Sequence, residues 1–321
     1  MKLLDADDVR RLLPMAEAID CMEETMIKVS RGEANLPLRT IMDIDGTNKL
    51  GIMPGAMKSD AGSTLYGIKL LSLFPGNPAK GLSSHIGIVI LFDPETGAPE
   101  IAMNADAITA IRTAAASAAA TRRLANPDAT MLAIIGTGEQ AESHIEALTL
   151  VRNFTEIRIA GRTQEKAEAF VSRVSAQYPG VIFVASPEIK TAVEGADVVC
   201  SVTSTVEPVL FGDWIGHGTH VNAVGASIPV LQEIDETLLL RSELFVDYRA
   251  SALAQAKEII TAIRDGRITE DHIRAEIGEV HCGSASGRSS ADAITLYRSL
   301  GVAAQDLAAA DLIRKRYSAT E

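Results

Sequence analysis

Residues 131–141 read MLAIIGTGEQA, and no other stretch restricts the fold of this chain as much. The run 131–135 is apolar throughout and has the length of a fully buried strand. It breaks at Gly136, Gly138 and Ala141, the small positions of a G-x-G-x-x-A turn. Gly136 allows a tight turn out of the strand, Gly138 lets a pyrophosphate approach the backbone, and Ala141 lets the next helix pack close to the sheet. With Thr137, Glu139 and Gln140 these residues form the expected phosphate cradle, where the helix start presents free N–H groups and a positive dipole end.

Glycines after a strand also occur in turns of no special function, so the segments downstream of this turn carry the weight. The pattern predicts helix 142–151, strand 157–160, helix 163–176, strand 181–184, helix 187–193 and strand 198–202. This β-α-β-α-β alternation with short links is that of a dinucleotide-binding domain. An NAD-binding protein usually places an Asp or Glu about 20 residues after the glycines, to hold the ribose 2′-OH. Here the second strand ends in Gly161-Arg162-Thr163. A carboxylate would repel a 2′-phosphate, whereas the Arg162 guanidinium can make paired charged hydrogen bonds to it, and Thr163 adds a donor. The expected cofactor is NADP(H). Val224-Gly225, at the end of a further strand over 219–224, complete the expected contacts in this half.

Length and charge bound the rest. A chain of 321 residues with 47% hydrophobic content holds two domains of ordinary size. No apolar run approaches the ~20 residues needed to span a bilayer. The N-terminus is charged and lacks the continuous apolar core of a secretory signal. Cys21, Cys200 and Cys282 are few, scattered and odd in number, as in a reduced, cytoplasmic protein. A net charge of −12 argues against nucleic acid or an anionic membrane as partner. An anionic substrate must therefore be gathered by local cations.

Upstream of the glycine turn the periodicity is of another kind. After an amphipathic helix over 15–29, strands are expected over 36–45, 50–57, 65–74, 86–92 and 99–103, separated by turn compositions such as Asp45-Gly46 and Pro75-Gly76-Asn77-Pro78. Such spacing suggests antiparallel meander pairing. The join is an alanine-dense helix over 108–124, whose first turn would carry Thr109, Arg112 and Thr113 as an anion site at the positive helix end. Downstream, a helix over 236–240, a strand over 244–246 and helical material to about residue 274 precede a polar loop over 283–290 and a last helix over 303–316. The fold class is α/β: a Rossmann dinucleotide-binding domain (121–302) plus a β-rich α+β substrate-binding and dimerisation domain (1–120, completed by 303–321).

These features resemble the ornithine cyclodeaminase and mu-crystallin family nearly end to end. The residues that carry the resemblance are Gly67-Ile68-Lys69, Ser84-His85, Thr109-Ala110-Ile111-Arg112-Thr113-Ala114, the glycine turn, Gly161-Arg162-Thr163, Glu207-Pro208-Val209-Leu210-Phe211-Gly212, Val224-Gly225-Ala226-Ser227 and Ala304-Gln305-Asp306-Leu307-Ala308. The resemblance implies a homodimer formed through the β-rich domains, with substrate bound between that domain and the Rossmann domain. It also implies that Arg39, Lys69 and Arg112 face the substrate, with Ser227 near it. A 2-imino or 2-oxo acid carries a carboxylate beside the reacting carbon, and an arginine fork holds such a group bidentately.

One departure bears on the chemistry. Cyclodeaminating members carry an aspartate where this chain has Ser227, and a serine hydroxyl is no comparable base near neutral pH. Imine reduction needs no such base, because the hydride comes from the cofactor. The pattern is therefore closest to ketimine reductases acting on substrates such as Δ1-pyrroline-2-carboxylate. An amino-acid dehydrogenase of the alanine dehydrogenase kind, a cyclodeaminase and a non-catalytic NADPH-dependent binding protein remain as alternatives. No metal site is expected: His217 and His220 have a metal-pair spacing but lack a third ligand, and His281-Cys282 lacks a recognisable third partner and reads as loop. His85 is read as structural near Lys69, and Trp214 as packing.

Overall fold

The turn-separated apolar runs in the first third of the chain pair as one mixed sheet. The computed structural model describes residues 1–59 and 62–320. Its first elements are β1 (Lys2–Leu4), α1 (Ala6–Leu12), α2 (Met15–Ser30), β2 (Ala34–Asn35), β3 (Thr40–Asp43), β4 (Lys49–Lys58), β5 (Thr64–Leu73), β6 (His85–Phe92), β7 (Pro99–Asn104) and α3 (Ala105–Leu124). The sheet order is β1-β7-β6-β5-β4-β2, with β3 also on β4. The pairs β4–β5, β5–β6 and β6–β7 are antiparallel, as a meander requires.

Two departures from the expected elements have local causes. The strand expected over 36–45 is shortened to β3, Thr40–Asp43, and a separate short strand, β2, ends before it at Asn35. Pro37 lies in the gap and has no N–H to give a sheet ladder. Helix α3 starts three residues earlier than expected, at Ala105, where the Asn104 side chain accepts from Ala107 N at 2.9 Å. Thr109, Arg112 and Thr113 are therefore interior helix residues. The helix-end anion site expected there is not formed, because the helix start lies in an earlier turn that carries Asp106.

The chain divides into two compact units, Met1–Thr113 with the segment from Val302 onward, and Ala114–Gly301. In the first unit the C-terminal helix (Ala303–Thr320) packs on α2 and on β4, β5 and β6. Gly55 and Gly67 pair across β4 and β5 and make room for it. A Cβ on Gly67 would come within 2.8 Å of Leu307 Cδ2, and one on Gly55 within 3.3 Å of Leu307 Cδ1. Glycine at both positions lets Leu307 press onto the sheet.

The second unit is an all-parallel sheet. Its elements are β8 (Met131–Ile135), α4 (Glu139–Thr149), β9 (Glu156–Ala160), α5 (Gln164–Val174), β10 (Ile182–Ala185), α6 (Ile189–Val193), β11 (Val198–Ser201), β12 (His220–Ala223), α7 (Glu236–Arg241), β13 (Glu243–Val246), α8 (Arg249–Gln255), α9 (Lys257–Arg264), β14 (Ile273–Glu276), α10 (Ile277–His281) and β15 (Thr295–Arg298). The order β10-β9-β8-β11-β12-β15-β13-β14 reverses direction between β8 and β11. A ligand crevice forms at such a switch point, outside the carboxyl ends of the strands. Strands β11, β12 and β15 are buried along their whole length, as a parallel sheet covered on both faces demands. Strands β14 and β15 depart from the sequence expectation: β14 starts inside the stretch expected to be helical, and β15, after the polar loop, was not expected. Among the described residues no helix is long and apolar enough to cross a membrane.

Candidate functional site

In the Rossmann unit the expected cofactor residues gather at the carboxyl ends of β8, β9 and β12. Gly136 has a φ of 129°, in the region only glycine enters readily, and its N–H is held by Ala160 O at 2.9 Å. Gly138 is the N-cap of α4, which starts at Glu139, so Glu139, Gln140 and Ala141 form its first turn. A Cβ on Gly138 would meet nothing within 4 Å, so the backbone here is open to a close-lying group. Ala141 is fully buried, as close helix–sheet packing requires. The neighbouring strand brings the second signature alongside, since a Cβ on Gly161 would touch Thr137 Cγ2 at 3.0 Å. Thr163 caps α5 by accepting from Lys166 N, and Arg162 is exposed with no ion-pair partner among the described residues. This turn has the open backbone at Gly138 and the helix start that fit a dinucleotide pyrophosphate.

After β12 the chain runs Val224-Gly225-Ala226-Ser227. A Cβ on Gly225 would run into the Thr203 carbonyl oxygen, so only glycine fits. Ala226 is fully buried between two charged side chains: its N–H is held by Glu233 Oε2 at 3.0 Å, and its carbonyl accepts from Arg298. Glu233 Oε1 accepts in addition from Ser201 Oγ at 2.6 Å, Thr203 N at 2.7 Å and Thr203 Oγ1 at 2.9 Å. Burial raises the Glu233 carboxyl above its usual range, against the pull of these donors and of Arg298. Ser227 comes next, half-buried.

In the first unit two of the expected substrate residues meet. Lys69 on β5 and Arg112 on α3 are 2% and 5% exposed, and each donates to the same oxygen of Asp306 on the C-terminal helix. The distances are 3.0 Å from Lys69 Nζ and 3.1 Å from Arg112 Nε to Asp306 Oδ1. Lys69 Nζ also donates to Thr109 Oγ1 at 2.6 Å, and Arg112 to Gln305 Oε1 at 2.7 Å. Burial pushes the Lys69 ammonium down to about 8, with Arg112 and Arg39 acting in the same direction and Asp306 opposing them. Burial acts to raise the Asp306 carboxyl, but the Arg112 and Lys69 charges outweigh it and hold it below its usual value. Asp306 Oδ2 is buried with no hydrogen-bond partner.

Arg39 is half-buried just before β3, and its charge is felt at Lys69. His85 starts β6, and the protein around it, then the Lys69 charge, holds its imidazole below the usual value even though its edge is exposed. Thr113 is buried next to Arg112 on α3, and its Oγ1 has no hydrogen-bond partner.

Asp306 and Gln305 were not among the expected site residues, although both lie in a motif that carries the family resemblance. A signal was present: two polar residues in a helix segment otherwise made of Ala and Leu must be buried or paired. His220 is buried against Thr295 Oγ1 at 2.9 Å, whereas His217 is exposed. Burial first, then Arg288, pushes the His220 imidazole down to about 3. His281, read as loop, is the last residue of α10. Trp214 packs against Phe211, with ring centroids 4.6 Å apart. A cavity of about 260 Å³ between α2 and the C-terminal helix, lined by Glu17, Cys21 and Asp311 among others, shares no residue with the Lys69 cluster.

These features define the class, a two-unit α/β protein with a Rossmann-type parallel sheet and a separate unit that buries a lysine, an arginine and one aspartate. The chain belongs to the ornithine cyclodeaminase/mu-crystallin family, whose model matches residues 1–321. It is 37% identical over 320 residues to the ketimine reductase mu-crystallin of Rattus norvegicus, covering 98% of this chain and 97% of that one. Among solved structures it is similar to the Δ1-pyrroline-2-carboxylate reductase of Thermococcus litoralis in complex with NADH and L-proline. That match has 34% identity and a TM-score of 0.94, and covers 100% of this chain and 98% of the other. An archaeal alanine dehydrogenase dimer with bound NAD matches at 31% identity and a TM-score of 0.92, covering 100% and 97%.

Proposed function

We propose that the chain is a nicotinamide-dependent imine reductase that uses NADPH to convert 2-imino acids, such as Δ1-pyrroline-2-carboxylate, into L-amino acids such as proline. The observation that carries this reading is the charge balance of the buried cluster. Lys69 and Arg112 are two buried cations that share one carboxylate oxygen, with Arg39 adding positive charge. A net positive charge away from water is costly until an anion meets it, and the carboxylate of a 2-imino acid is such an anion. Arg112 holds this carboxylate, Arg39 adds to its field, and the Lys69 ammonium donates a proton to the imine nitrogen. Reduced nicotinamide, when bound, supplies the hydride that completes C2. The C=N π pair becomes the new bond to the donated proton, and Lys69, left neutral, regains a proton from solvent.

Four parts of this reading are finer than the family. NADPH preference is supported by exposed Arg162 at the end of β9, although the two solved relatives hold NADH and NAD. The cofactor cradle is Gly136 to Ala141 with Gly161, Thr163, Val224 and Gly225; Thr113 is assigned to the cofactor and Ser227 to the substrate. A homodimer formed through the first unit is supported by its exposed apolar residues Leu38, Ile41, Met42, Ile44 and Ile86. None of the three cysteines forms a disulfide, which supports a cytoplasmic setting.

The likeness to an alanine dehydrogenase favours a second reading, reductive amination of a 2-oxo acid. The two are separated by following cofactor oxidation with the cyclic imine alone, with pyruvate plus ammonia, and by assaying ammonia release from ornithine. Rapid NADPH oxidation with the imine alone is expected. Turnover only with pyruvate and ammonia supports the second reading, and ammonia release from ornithine would contradict the argument from Ser227.

A further inference from the structure

Imine reduction gives roles to Lys69 and Arg112 and leaves Asp306 without one. Its placement is specific. The C-terminal helix is seated on the sheet where Gly55 and Gly67 admit Leu307, so the residue before Leu307 reaches the strand position two beyond Gly67, which is Lys69. Asp306 is fully buried, and a single oxygen accepts from both cations, so either cation that swung away would be left buried without its counter-charge. Gln305, also fully buried, fixes a second nitrogen of Arg112 and donates to Met26 Sδ at 3.4 Å, which ties the pair to α2.

We propose that Asp306 is a positioning residue for imine reduction, one that locks Lys69 and Arg112 into a single unit and keeps Lys69 charged as the proton donor. This deepens the imine-reductase reading and rests on it. The groups that face Lys69 are Asp306 on the C-terminal helix, Thr109 and Arg112 on α3, Arg39 before β3 and His85 on β6. Asp306 is the carboxylate among them. It opposes burial and the two arginines, and an opposite charge at this range is worth about one to three pH units.

The test is the pH dependence of kcat/KM for the cyclic imine in the wild type, D306N and D306E. Asparagine can keep both hydrogen bonds through Oδ1 and removes the charge, with its amide NH2 in the place of Oδ2. The expected result is an alkaline limb near pH 8 in the wild type that moves down by about one unit or more in D306N. Loss of activity at every pH with the limb unmoved would overturn the proposal, because packing alone would produce that. D306E keeps the charge and displaces it, so it is expected to raise KM for the imine while the limb stays in place. A folded D306E enzyme with wild-type KM would also overturn the proposal, even if D306N did not fold. The Lys69 Cε resonance in lysine-labelled protein, identified by its loss in K69M, gives the same titration without turnover. If the imine is inert while this resonance still shifts downward in D306N, the imine-reductase reading fails and the coupling stands.

Discussion

Glu233 and Arg298 grip the two polar groups of one residue, with Glu233 Oε2 3.0 Å from Ala226 N and the Arg298 guanidinium donating to Ala226 O. Every group that meets the Glu233 carboxylate is a donor. Glu233→Gln must turn an amide N–H toward one of these donors and leave it unsatisfied, which costs about 1–3 kcal/mol. Chemical denaturation should show that loss, together with a raised KM for the imine if the loop that presents Ser227 loosens. An unchanged denaturation midpoint would mean that the grip is dispensable.

Arg112→Ala removes the guanidinium assigned to the substrate carboxylate and leaves Asp306 with one cation. The expected fall in kcat/KM for the cyclic imine is more than tenfold, since a lost charged hydrogen bond is worth at least ~1.5 kcal/mol. Arg112→Lys should recover little, because an ammonium cannot reproduce the two-pronged geometry. Steady-state kinetics decides, and an efficiency equal to wild type would remove the clamp.

Lys69 sets the pH behaviour. Its ammonium is held at about 8, so activity that needs the charged form should be level below that value and fall about tenfold per unit above it. The stability contribution has the opposite sense. The folded value lies below the ordinary 10.5, so the unfolded chain binds more protons between the two. This group's contribution to stability therefore rises with pH across that window. A kcat/KM profile still level at pH 10 would exclude Lys69 as the proton donor.

Arg162→Ala should raise KM for NADPH and leave KM for NADH near its wild-type value, because only NADPH carries the 2′-phosphate. The ratio of the two is the readout. An equal rise for both cofactors would take the specificity role away from Arg162.

The nucleotide half of the fold was legible because its signals are local. An apolar five-residue strand, glycines at fixed offsets and alternating helices all lie within a short window, and β8 falls on the expected residues. The Lys69 cluster was half legible. A lysine in an alternating strand and an arginine in an alanine helix stand out as costly when buried. Their common partner did not, because Asp306 is 237 residues from Lys69 and only the seating of Leu307 on Gly55 and Gly67 brings them together. The start of α3 was misplaced because its cap is Asn104 at the end of a strand, where the periodicity had not yet changed. Strand β15 was missed because its four residues come after a polar loop and find their place only in the folded sheet, between β12 and β13.

The most direct measurement is the fate of the hydride. NADPH carrying deuterium at nicotinamide C4 is incubated with Δ1-pyrroline-2-carboxylate in the absence of ammonia, and the product is examined by mass spectrometry and NMR. Proline with one deuterium at C2 is expected, formed in step with cofactor oxidation. Absence of labelled proline, with label appearing in an amino acid only when a 2-oxo acid and ammonia are supplied, would contradict imine reduction.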